Sequence, residues 1–235
     1  LVGATGYVIA PAMKKVGYEP LKSLEPVAVL AKAPNLIVVN PSVPAKTTQE
    51  FLDWAKTQSN IPFGTAGAAG STHLGGEWLR KVTGYQFNHV PYKGAAPATN
   101  DAVAGQIPMA VQDSMSVSAF ITSGRLRPIA NMAAERSKLF PELPTLREAG
   151  GVFKDFDVYT WLGLYAPAGT PAPVLTQLNS EINKIMNSPE MVERLRLQYS
   201  EPLGVMDLAQ TRGFVAGEVA KWKRVVTETG VRSEE

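Results

Sequence analysis

The feature that most constrains this chain is an alternation of short, branched apolar runs with stretches of helical spacing. The runs are Leu36–Val39, Ile61–Thr65, Gln86–Val90, Ile107–Val111, Arg127–Met132 and Val158–Tyr165. After the first of them, Thr47-Thr48-Gln49-Glu50 has the form of a capping box, and Phe51, Leu52 and Ala55 fall on one side of the helix that follows. A second helix is expected over 71–82, with Leu74, Trp78 and Leu79 at helical spacing. A third follows Gly94, and a fourth fills 115–122. Parallel strands need long crossovers, and a helix between two strands supplies one. The pattern therefore predicts right-handed βαβ units, a largely parallel sheet and an α/β fold.

The last third reads differently. Pro167-Ala168-Gly169-Thr170-Pro171 leads into a helix with Pro171 in its first turn and an apolar stripe of Leu175, Leu178, Ile182 and Ile185. Pro189 starts another helix carrying Val192 and Leu195, and a long final helix over 207–229 is expected to bury Phe214, Trp222 and Val225. Residues 1–30 are too few to form a core, so the chain's two ends are expected to pack together. Domain 1 is then 1–35 plus 159–235, discontinuous, and domain 2 is 36–158. Two α/β domains joined by a double crossing imply a hinge and an interdomain cleft. In such sheets ligands bind beyond the carboxyl ends of the strands, where strand order reverses.

Composition removes several functions. The 235 residues include no cysteine, which excludes disulfides, thiolate metal sites and cysteine nucleophiles. The formal net charge is +2, and Lys14-Lys15 and Lys221, Lys223, Arg224 read as solvated helix faces, not a nucleic-acid surface. No apolar run approaches the ~20 residues of a bilayer span. The chain opens on Leu1-Val2-Gly3-Ala4-Thr5-Gly6 without an initiator Met or charged leader, so a mature or truncated form is expected.

The most informative stretch is Phe63-Gly64-Thr65-Ala66-Gly67-Ala68-Ala69-Gly70-Ser71-Thr72-His73-Leu74. A strand ends, small residues turn, and a helix begins. Gly67, Ala68, Ala69 and Gly70 let the backbone approach a ligand closely. First-turn N–H groups and the helix's partial positive charge make an anion site, to which Ser71 and Thr72 add hydroxyls. The competing reading is that Ser71 or Thr72 only caps the helix. The spacing fits neither a phosphate-binding P-loop nor a dinucleotide fingerprint.

A second strand-to-helix turn, His89-Val90-Pro91-Tyr92-Lys93-Gly94, offers Lys93 as an anion attractant and Tyr92 as a wall, against a surface lysine and a half-buried tyrosine. Asp113, at a strand end, either faces a ligand or caps the next helix. His73 and His89 lack metal-ligand spacing, so no metal is expected. A hydrolase using Ser71 and His73 lacks the G-x-S-x-G elbow. No catalytic set and no cofactor site are assembled.

These motifs, with Gly105-Gln106-Ile107, Gly124-Arg125-Leu126-Arg127, Pro141-Glu142-Leu143-Pro144-Thr145-Leu146-Arg147-Glu148-Ala149-Gly150, Ala166-Pro167-Ala168-Gly169-Thr170-Pro171, Tyr18-Glu19-Pro20 and Leu24-Glu25-Pro26-Val27-Ala28, resemble the Bug-type receptors. Those are the periplasmic solute-binding proteins of tripartite tricarboxylate transporters. The resemblance spans the whole chain in order. It implies a type II periplasmic-binding-protein fold and capture of a small organic carboxylate, with transporter membrane subunits as partners, a periplasmic location and no enzymatic activity. A sensor that binds the same acids without transport is the alternative. The resemblance also implies that the Gly67–His73 loop and the Tyr92-Lys93-Gly94 turn contact the ligand. By the same resemblance Thr5 is expected on a loop of the first domain, facing them, and Asp113 matches a position that is frequently acidic in the family. Two departures stand out. Family members begin with additional βα units, so the first domain is expected to be N-terminally truncated. Ala69-Gly70 stands where many members have Gly-Ser, one hydroxyl fewer.

Overall fold

The computed structural model describes residues 2–231, which form two compact units, one of residues 2–33 with 160–231 and one of Pro34–Tyr159. In the first unit, β1 (Val2–Ala4) pairs antiparallel with β7 (Tyr159–Pro167), and β7 neighbours the early part of β2 (Leu24–Val39). Helices α1 (Gly6–Met13), α6 (Ala172–Met186), α7 (Pro189–Leu197) and α8 (Leu208–Thr229) complete it. Asp207 and Gln210 form a capping box at the start of α8, and Gly230 ends that helix in the left-handed region.

The core of this unit is polar at its centre. The indole N–H groups of Trp161 and Trp222 both donate to Glu218 Oε2, at 2.9 and 3.0 Å, and Lys221 Nζ lies 2.6 Å from Glu218 Oε1. Lys221 and Trp222 reach this carboxylate because they follow it by three and four residues on one helix face, while Trp161 comes from β7. Trp161 and Trp222 are fully buried, whereas Phe214 is only half-buried, its ring meeting Trp161 edge-on at 5.1 Å.

The apolar stripe expected on α6 is only partly covered: Leu175 and Ile182 are half-buried, whereas Leu178 and Ile185 are exposed. Asn179 is the buried residue instead, because its amide donates to the backbone carbonyls of Val27 and Met206 at 2.7 and 3.0 Å. Those carbonyls need a donor, and the helix turns to give it.

The second unit holds α2 (Thr48–Thr57), β3 (Ile61–Thr65), α3 (Ser71–Thr83), β4 (Phe87–Pro91), α4 (Ala95–Val103), β5 (Met109–Asp113), α5 (Ser114–Thr122) and β6 (Arg127–Asn131). β4, β3 and β5 are parallel in that order. The end of β2 pairs antiparallel with both β5 and β6. The sheet is thus mixed and not the largely parallel one the alternation predicts: β4, β3, β5 and β6 run one way, and β2 runs against both of its neighbours in this unit, β5 and β6. β2 reaches the sheet directly from the first unit, with no crossover helix to turn it parallel.

Two neighbouring strands leave in opposite directions: β3 leads through α3 to β4, and β5 leads through α5 to β6 on the other side. Consecutive residues of β3 show that α3 and α4 lie on opposite faces. A side chain at Gly64 would meet Ala98 of α4, while Phe63 on the other face touches α3 so closely that a Cβ on Gly76 would sit 2.2 Å from its ring. Glycine in a helix interior costs ~1 kcal/mol against alanine, so its place here reflects close approach. Gly76→Ala is expected to destabilise by about 1–3 kcal/mol despite the better helix former, read from the urea midpoint.

Candidate functional site

The carboxyl ends of β3 and β5 mark the point where strand order reverses, the usual place for a ligand in such a sheet. The backbone there comes from Ala66–Gly70, leading into α3. Gly70 is the N-cap of α3, not Ser71 or Thr72, and having no side chain it gives the helix no side-chain cap. Gly94, with φ of 111°, caps α4 in the same bare way. Four other helices carry side-chain caps: Thr47 on α2, Asp113 on α5, Ser188 on α7 and Asp207 on α8. By helix geometry the N–H groups of a first turn have no carbonyl four residues back. Two such starts lie at the ends of adjacent parallel strands.

The two turns touch. Tyr92 N–H donates to Thr65 O at 3.2 Å, and Gly94 N–H to Ala66 O at 3.1 Å. A Cβ on Gly67, whose φ is 138°, would lie 3.4 Å from Tyr92 O.

Beneath the loop, two imidazoles fix its shape. His73 and His89 stack with ring centroids 3.8 Å apart. Ala69, at φ of 59° in the left-handed region, donates its N–H to His73 Nδ1 at 3.3 Å. Thr65 Oγ1 donates to Gly67 O at 3.0 Å, which uses its one proton, so His89 Nε2–H is the donor in their 2.7 Å contact. Burial lowers the pKa of His73 to about 4, and burial together with the charge of His73 lowers that of His89 to about 3. Both rings are neutral near pH 7 and hold the loop without charging it.

The remaining candidates fall as follows. Ser71 and Thr72 are buried, and Ser71 Oγ accepts from Asn35 Nδ2 at 3.0 Å. Tyr92 is half-buried, its hydroxyl donating to Asp101 Oδ2 at 2.7 Å, while Lys93 is exposed. Asp113 caps α5, accepting from Ser116 N–H and Oγ–H at 3.0 and 2.9 Å. Thr5 belongs to the first unit, where its hydroxyl accepts from Trp161 N–H at 2.8 Å and ties α1 to β7.

Sequence reasoning passed over Gln112, whose side chain is fully buried on β5 with both amide atoms lacking hydrogen-bond partners, and Thr99 on α4, whose buried hydroxyl is in the same position. A polar residue in an otherwise apolar strand, Met109-Ala110-Val111-Gln112, was the available signal. Among the described residues, no three His, Asp or Glu side chains gather as a metal-ligand set, and no helix is long and apolar enough to cross a membrane.

Comparison with known proteins gives one consistent result. The profile described as tripartite tricarboxylate transporter family receptor matches residues 1–231. The chain is 31% identical over 221 residues to Protein BugT of Bordetella pertussis, covering 94% of this chain and 67% of that protein. The structure of R. palustris Rpa4515 with adipate superposes with a TM-score of 0.89 at 27% identity, covering 98% of this chain and 77% of the other. The periplasmic binding protein BugD gives 0.87 at 30% identity, covering 99% and 78%.

Proposed function

We infer function from one premise: the chain belongs to the tripartite tricarboxylate transporter receptor family. It is a solute-binding receptor that captures a small organic carboxylate in the periplasm and presents it to the membrane subunits of its transporter. The observation that carries this reading is the pair of touching turns at which α3 and α4 begin with glycine caps and no side-chain cap. A carboxylate brings the acceptor oxygens and the negative charge that two such helix starts favour. The ligand contacts are the Gly67–His73 loop and the Tyr92-Lys93-Gly94 turn. The exposed Lys93 adds a screened, long-range attraction.

A hydrolase is the weaker reading, because Ser71 Oγ serves Asn35 as an acceptor and His73 Nδ1 serves Ala69. That a relative's structure holds adipate makes adipate the first acid to test. Titration calorimetry should show heat for a dicarboxylate and at least about tenfold weaker binding of the matching diamide, since charge-assisted hydrogen bonds are roughly twice as strong as neutral ones. Equal binding of acid and diamide, or no response to any carboxylate at millimolar concentration, would overturn the reading.

A further inference from the structure

We propose that His73 is the positioning residue of the candidate loop: its bare Nδ1 holds Ala69 in a left-handed conformation that the residue would otherwise leave, and so keeps the Gly67–Gly70 backbone set for a carboxylate before one arrives. The proposal rests on the receptor reading and deepens it, naming what shapes the site and not what fills it.

A residue with a Cβ avoids φ near +60°, where that atom crowds the backbone. Ala69 has φ of 59°, and among the described residues the other non-glycines at positive φ are Leu21 and Tyr199, both in the first unit. Glycine would sit there without strain, and the same stretch does use glycine where φ reaches 138°, at Gly67. Strain of this kind persists only where the surroundings over-determine it. Here the contact that does so is the Ala69 N–H donating to His73 Nδ1 at 3.3 Å.

An imidazole accepts at Nδ1 only when it is neutral with its proton on Nε2. The surroundings keep His73 in that form. It is buried in the first turn of α3, its ring lies 3.8 Å from that of His89, and burial lowers its pKa to about 4. His89 is fixed in turn, since its Nε2–H donates to Thr65 Oγ1, which donates to Gly67 O. The loop is thus gripped at Gly67 O and again at Ala69 N–H, two residues apart. The Gly67–Ala68 peptide is trans, so with its oxygen drawn toward Thr65 its N–H, that of the exposed Ala68, is turned the other way. A loop already held in its binding shape loses less entropy when a ligand orders it.

Leucine and asparagine at position 73 both abolish the ring stack, but only asparagine offers an acceptor where Nδ1 stood. Calorimetric titration uses linear dicarboxylates from succinate to adipate, and the tightest is carried to the variants. His73→Leu should bind it at least about tenfold more weakly than wild type, and His73→Asn should recover to within about threefold. Ala69→Gly separates positioning from folding, because a purely structural role would move stability and affinity together. Relief of the strain should leave its urea midpoint at or above that of wild type, while the freer backbone weakens binding about three- to tenfold. Should His73→Leu not fold, Ala69→Gly decides. Unchanged affinity in either variant, or equal weakening by leucine and asparagine, would overturn the proposal while leaving the receptor reading intact. If no dicarboxylate binds wild type at millimolar concentration, the receptor reading fails and this one falls with it.

Discussion

Replacing Glu218 with alanine should lower the stability of the protein by about 3–5 kcal/mol, the cost typical of breaking a buried ion pair. Two fully buried indole N–H groups and the Lys221 ammonium converge on this one carboxylate. Each indole donor left buried without an acceptor costs about 1–3 kcal/mol by itself. These costs share one site, so they do not simply sum. For a chain of this length the loss corresponds to a fall of roughly 10 °C in melting temperature. Glu218→Gln keeps an acceptor oxygen for the indoles and loses only the charge facing Lys221, so its cost should be about half. Urea unfolding followed by tryptophan emission reads both variants. If Glu218→Ala loses less than about 1 kcal/mol, the network is not what holds this unit's centre together.

Little of that network is legible in the sequence, though the spacing is: Glu218, Lys221 and Trp222 stand at helical intervals. Their third partner, Trp161, is 57 residues from Glu218 and reaches it only because β7 and α8 share a core. The same contrast runs through the whole chain. Helix-forming and strand-forming segments of the second unit were readable because each carries its own periodicity, and the loop after β3 was readable because small residues followed by Ser-Thr mark a strand-to-helix turn. β2 was only partly readable. Pro26, Lys32, Pro34 and Asn35 interrupt its 16 residues, and prolines argue against a strand unless edge pairing is known. Which residue caps α3 was not readable, since Gly70, Ser71 and Thr72 all qualify by type. Asn179 turning inward on α6 depends on carbonyls of Val27 and Met206 that are distant in sequence. The His73–His89 stack arises from the register of β4 beside β3, which pairs Phe63 with His89 and puts the imidazole under the loop.

That stack should make the protein sensitive to mild acid. Both rings have folded-state pKa values far below the ordinary 6.5, about 4 for His73 and about 3 for His89. Between those values and 6.5 the unfolded chain binds protons that the folded chain refuses, so stability falls as pH drops. Above about pH 7 both states are neutral and the pair is without effect. Below about pH 4 the folded rings begin to protonate and the loss levels off. The two shifts describe one coupled pair, and His89 is only half-buried, so their combined effect is on the order of 3 kcal/mol by pH 4. The carboxylate contribution lies lower: Glu148, held to about 2 by Arg136 and the Thr145 backbone, loses its favourable share only below about pH 4.5. The window from 6.5 to 4.5 therefore reports on the histidines. His73→Asn keeps an acceptor near Nδ1 for Ala69, and His89→Gln keeps a donor near Nε2 for Thr65. In the double variant the urea midpoint should be nearly flat across that window, while in wild type it declines. A decline of equal slope in both proteins would show that protons taken up elsewhere, and not by this pair of rings, set the acid limit of the fold.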